Sequence, residues 1–138
     1  GYISDYYEKY PGLKDRVTFV GAISDKSKLK EEYLKSKVFT LPSLSESFGI
    51  VLVEAASNGC YLITSDMVPA CYDISHRFEN GMAVSAGNAE ALAEAFHKIC
   101  DGETDWKSIE IKTAAYVKAA YDWSKIVNKL YAEICETI

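Results

Sequence analysis

The stretch from Val38 to Asp66, VFTLPSLSESFGIVLVEAASNGCYLITSD, constrains this chain more than any other. A short β-branched and aromatic run, Val38–Leu41, is followed by a polar loop with Pro42 and Gly49, then by a run that is apolar apart from Glu54. Asn58-Gly59 supplies a left-handed helix stop, and Tyr61-Leu62-Ile63-Thr64 begins a second β-like run. Strand, loop, helix and strand in that order define a parallel crossover unit. A loop that leaves a buried strand and opens a helix is where α/β proteins hold phosphates and ribose.

The flanking segments repeat the alternation. Tyr2–Tyr10 predicts a short helix ended by Pro11-Gly12. Arg16–Gly21 (RVTFVG) predicts a buried strand, and Ser24 or Asp25 is placed to cap a helix over Lys26–Ser36. Leu29, Tyr33 and Leu34 share one face of that helix, and its many lysines read as a solvated outer face. Tyr72–His76 predicts one helical turn, Met82–Val84 a further short strand, and Asn88 the cap of a helix over Ala89–Cys100 with Leu92, Phe96 and Ile99 inward. From Asp105 the chain reads as helix, with Ile109, Thr113, Tyr116 and Ala120 on one stripe. Asp122-Trp123-Ser124 interrupts it, and Ile126, Leu130 and Ile134 resume it. The expected architecture is therefore α/β: a Rossmann-like parallel sheet of about four strands flanked by helices, with a helical C-terminal tail from about residue 103. Residues 1–138 are expected to form one domain.

A net charge of −5, with no basic block, argues against a nucleic-acid partner. Cys60, Cys71, Cys100 and Cys135 lack C-x-x-C spacing, so no zinc or thioredoxin-type motif is expected, and the four read as free thiols of a cytoplasmic protein. No apolar run approaches the ~20 residues of a membrane span, and no signal peptide opens the chain. The abrupt start at Gly1-Tyr2-Ile3 reads as that of a fragment.

The chemistry concentrates in the central loop. Ser47, Phe48 and Gly49 place backbone N–H groups at a helix start, where the macrodipole favours an anion. Gly49 allows close backbone approach. Glu54, the only charged residue in its helix, suits a ribose diol, because a buried unpaired carboxylate costs several kcal/mol. Glu46, with seven residues between it and Glu54, is placed to reach hydroxyls of a second sugar. Spacing alone leaves a second account open, in which Glu54 pairs with a neighbouring Lys or Arg and Glu46 only favours the helix N-terminus. His97 reads as structural, Trp106 and Trp123 as packing anchors of the tail, and Arg77 as a residue of the turn surface with a phosphate contact as the alternative.

SLSESFGIVLVEA followed by NGCYLITSD resembles the signature of retaining glycosyltransferases of family 4 (group 1), which have the two-domain glycosyltransferase-B fold. Glu46 and Glu54 match that family's Glu-x7-Glu motif. The similarity extends to Arg16–Gly21, Val38–Ser43, Asn80-Gly81 and Asn88–Leu92. The resemblance implies the C-terminal, donor-binding part of such an enzyme, incomplete without its acceptor domain. Glu54 would bind the donor ribose and Glu46 the transferred sugar, in the place of a catalytic residue. Ser47, Phe48, Gly49 and Ile50 would lie near the diphosphate. The donor would be a nucleotide-diphosphate sugar, with no cofactor and no obligatory metal. The implied setting is polysaccharide or glycolipid assembly in the cytoplasm, with the full enzyme at the inner face of the membrane.

Two departures stand out: Tyr61 occupies a position where many members have proline, and Met67–Ala70 replaces a common glycine-rich loop. The family's first donor-domain strands, with the Arg and Lys that neutralise the diphosphate, have no counterpart here. Because the family's sheet order is 3-2-1-4-5-6, the Val17 strand is expected to shift beside Val38, or two chains to pair through an exposed strand edge. A stand-alone nucleotide-sugar binding module and a non-catalytic interaction domain are the competing functions.

Overall fold

A computed structural model describes residues 2–78 and 80–136, with the side chains of residues 75–78 outside the description. Helix α1 (Tyr2–Lys9) and a 3-10 turn (Pro11–Leu13) precede α2 (Lys26–Lys35), β1 (Val38–Leu41) and α3 (Ile50–Ser57). Then follow β2 (Tyr61–Ser65), α4 (Pro69–Phe78), β3 (Gly81–Val84) and α5 (Ala89–Asp101). Two helices, α6 (Trp106–Ala120) and α7 (Trp123–Glu136), end the described chain.

Among the described residues the sheet has three parallel strands in the order β1-β2-β3, with Phe39 beside Leu62 and Ile63 beside Met82. The central strand β2 is buried along its whole length, as a parallel strand covered on both faces must be. Its residues alternate between two cores. Leu62 packs with Leu52, Ala55, Ala56, Ile74 and Val117 on one side. Tyr61 and Ile63 pack with Ala95 and Ile99 on the other, joined by Leu92, Phe96, Trp106 and Ile109.

Local chemistry sets the helix starts. The Asp25 carboxylate accepts from the N–H groups of Ser27 (2.8 Å) and Lys28 (3.3 Å), and Asn88 accepts from that of Ala91 (3.0 Å). Asp122 caps α7 through Ser124 (2.9 Å) and Lys125 (3.4 Å), which turns the interruption of the tail's stripe into a boundary between two helices.

Three expectations are corrected. Residues 17–20 form no strand, so the count falls from about four to three, and the Val17 segment does not shift beside Val38. A strand exists only through a partner's ladder, and none is offered to this segment. It is held instead by rings: Phe19 packs edge-on against Tyr6 and Tyr7, whose hydroxyl donates to the carbonyl of Val17. Helix α3, whose nearly all-round apolar sequence predicts deep packing, is packed on one side only, with Leu52, Ala55 and Ala56 buried while Ile50 is 65% exposed. The Ile126, Leu130 and Ile134 stripe of α7 is real in spacing, yet α7 buries none of its residues. Trp123, at 76% exposure, is not a packing anchor, whereas Trp106 is. Two short elements also prove longer: α4 exceeds the single turn expected, and β3 begins at Gly81. Among the described residues no helix is long and apolar enough to cross a membrane.

Candidate functional site

The loop after β1 is pinned at both ends. Ser65 donates its hydroxyl to the Ser43 carbonyl, and Thr64 donates to that of Leu41 at 3.1 Å, so β2 fixes where the loop departs. At the far end the Ala70 N–H donates to the Phe48 carbonyl at 2.9 Å, tying the loop to the start of α4. Phe48 packs against the core, and Gly49 takes a left-handed conformation (φ +91°) at the helix start. No side chain caps α3. The Leu52 N–H donates to the Gly49 carbonyl at 2.9 Å, and the N–H groups of Ile50 and Val51 are left without a side-chain cap at the positive end of the helix dipole, an arrangement suited to an anion.

Glu46 is half-buried, and its Oε1 accepts from the N–H of Ser47 at 3.1 Å. Ser47 and Ile50 are exposed, Phe48 is half-buried and Gly49 is buried. Glu54 departs from expectation: it is exposed, so the cost of burying its charge does not arise. Nor does it pair with a cation, for among the described residues it makes no ion pair. Its Oε2 instead accepts from the hydroxyl of Tyr33 on α2 at 3.3 Å. Burial, reinforced by the charge and hydrogen bond of Glu54, pushes the Tyr33 hydroxyl above the usual tyrosine range and keeps it a donor at neutral pH.

Glu54 and Tyr33 open onto a cavity of about 760 Å³ between α2, α3 and α6. Lys26, Lys30 and Lys118 also line it, with Glu110, giving three lysines against two glutamates and a small positive excess. Lys26 and Lys30 are exposed, as a solvated face requires, and line this cavity as well. Glu46, Ser47, Phe48, Gly49 and Ile50 do not line this cavity, so the expected site residues divide into a loop group and Glu54. The two groups are linked along α3. Ile50 and Glu54, four residues apart, share one exposed face at a rise of roughly 6 Å.

Sequence reasoning missed Tyr33 as a site residue. The available signal was a tyrosine on the inner face of a short polar helix, whose hydroxyl needs a partner once its ring is packed. The Arg77 side chain lies outside the described residues. His97 is an exposed residue of α5, 4.0 Å from Asp101. Among the described residues no group of His, Cys, Asp and Glu is arranged to hold a metal ion.

A parallel sheet with helices on both faces, and a strand–loop–helix unit opening at its edge, defines a Rossmann-like α/β protein. The family model of the glycosyl transferases group 1 matches residues 6–123, and the chain belongs to that family. It is 32% identical over 136 residues to the phosphatidylinositol N-acetylglucosaminyltransferase gpi3 subunit of Schizosaccharomyces pombe, covering 93% of this chain and 28% of that protein. It is 30% identical over 128 residues to the phosphatidyl-myo-inositol mannosyltransferase of Mycobacterium leprae, covering 92% of this chain and 33% of that protein. The sucrose-phosphate synthase structure from Thermosynechococcus elongatus superposes with a TM-score of 0.77 at 31% identity, covering 99% of this chain and 34% of that one. The chain thus spans about a third of the length of the relatives it matches.

Proposed function

We propose that this chain is the donor-binding part of a retaining glycosyl transferase that uses a nucleotide-diphosphate sugar. The observation that carries the reading is the exposed face of α3, where an uncapped N-terminus and the Glu54 carboxylate stand one helical turn apart. A diphosphate at the N-terminus puts ribose hydroxyls about one turn along, within reach of a carboxylate acceptor. Family membership and the two glycosyl-transferring relatives support the same assignment.

In this reading Glu54 accepts from the ribose hydroxyls, and the backbone of Ser47, Phe48, Gly49 and Ile50 meets the diphosphate. Glu46 orients the transferred sugar through its hydroxyls. As the glycosidic bond breaks, negative charge grows on the leaving diphosphate. Oriented N–H dipoles that need no reorganisation stabilise that charge, and a fixed donor supplies the positioning term. No resident metal is assigned. Both relatives are named for transfer onto phosphatidylinositols, which favours a lipid acceptor met by the whole enzyme at the cytoplasmic face of a membrane.

Titration calorimetry with UDP, GDP and ADP tests the reading, with Glu54→Ala as the control. At least one nucleotide is expected to bind, and E54A to weaken it roughly tenfold, or about 1.4 kcal/mol. Absence of binding by all three at millimolar concentration, or equal affinity in E54A, overturns the assignment.

A further inference from the structure

We propose that Tyr33 is a positioning residue that holds Glu54 ready for the ribose diol and so sets the preference of the site for ribonucleotides. This rests on the donor-site reading above. Glu54 is an exposed side chain with three rotatable bonds, and fixing such a side chain costs much of its rotamer entropy. The Tyr33 hydroxyl binds Oε2 at 3.3 Å from across the cavity, 21 positions earlier in the chain. A carboxylate has about four acceptor sites, and one hydroxyl donor occupies one of them. Oε1 and the remaining lone pair of Oε2 stay open for two sugar hydroxyls.

The tether is effective because Tyr33 is itself immobile. The residue is 8% exposed, and its ring lies 5.7 Å from that of Phe39 at 68°, an edge-to-face contact. Its backbone carbonyl accepts from the Cys60 thiol at 3.4 Å, which anchors this turn of α2 to the end of α3. One rigid side chain thus restrains a mobile one. Its hydroxyl reaches the cavity surface while its ring stays in the core, so removing the hydroxyl leaves the packing in place.

The test compares each nucleoside diphosphate with its 2′,3′-dideoxy counterpart in wild type, Tyr33→Phe, Glu54→Ala and the double variant. Wild type is expected to prefer the ribonucleotide, and E54A to lose that preference. Y33F is expected to bind the ribonucleotide roughly fivefold to tenfold more weakly and the dideoxy compound as before. The double variant is expected to match E54A. Glu54→Asp lies on the exposed side of α3 and spares the core. It draws the carboxylate away from Tyr33 and is expected to give the same selective loss. A Y33F protein that keeps the wild-type ratio, or that loses both ligands equally while E54D keeps the ratio, overturns the positioning role and leaves the donor site standing. A wild type that does not distinguish the two compounds overturns both.

Discussion

Gly49 stands so close to Val68 that a Cβ added to it would lie 2.6 Å from Cγ1 of the valine. The contact joins the start of α3 to the segment leading into α4, beside the hydrogen bond from Ala70 to Phe48. Gly49 also holds φ at +91°, where a side chain is strained even in open space. Gly49→Ala is therefore expected to cost about 1–3 kcal/mol, read as a lowered urea midpoint. Adding Val68→Ala removes the overlap but not the backbone strain. The double variant is thus expected to lose stability for its new cavity without regaining that of wild type. Wild-type stability in G49A would show that the loop is not held by this contact.

The alternation of elements was legible because periodicity and capping are local. Asp25 and Asn88 announced their helices, and the apolar run of β2 announced a strand buried on both faces. What failed depended on partners. Arg16–Gly21 has the composition of a strand, yet composition supplies no neighbour, and without one the segment settles against tyrosine rings. Burial of Glu54 was inferred from its apolar neighbours, but two of them, Ile50 and Val51, themselves face outward. The stripe on α7 has the right spacing and finds nothing to cover it within the described residues. Lys26 and Lys30 are exposed as expected, but that they also line a cavity shared with α3 and α6 is a tertiary fact. The Tyr33–Glu54 bond spans two helices and is invisible to any local pattern.

Strand β1 keeps one edge of the sheet unpaired among the described residues, and Thr40 on it is exposed. Open ladder groups recruit a second strand, and charge at the edge discourages this. The wild-type chain is expected to self-associate as its concentration rises, with Thr40→Lys shifting it toward monomer, as measured by sedimentation velocity. Equal sedimentation of the two proteins at every concentration would place any association elsewhere.

The four thiols divide by burial. Cys100 and Cys135 are exposed, while Cys60 and Cys71 are buried. Reaction requires an accessible thiolate. A thiol reagent at pH 8 is expected to modify two groups promptly and the other two only at the rate of unfolding, with all four equal in denaturant. Prompt reaction of Cys60, identified by peptide mapping, would mean that the α2–α3 contact opens in the native protein.

Burial pushes the Cys60 thiol from 9.0 up to about 11, and it pushes Tyr33 and Tyr61 upward as well. A folded-state pKa raised above the unfolded one means that the native chain holds its proton more tightly. The resulting stability is complete below pH 9 and is lost as pH climbs through 11. For Cys60 the loss is on the order of 2–3 kcal/mol, and the tyrosines extend it above pH 10 with the same sign. Urea midpoints are expected to fall steadily from pH 9 to 11 in wild type. Cys60→Ala is expected to start lower, because it leaves a small cavity beside Tyr33, and then to fall less between pH 9 and 10. Unfolded tyrosines, with an ordinary value of 10.0, ionise mainly from pH 10 upward, so Cys60 supplies most of the slope just above pH 9. Parallel curves for the two proteins would assign the alkaline loss to the tyrosines and show that the Cys60 thiol is less enclosed than its place between α2 and α3 requires.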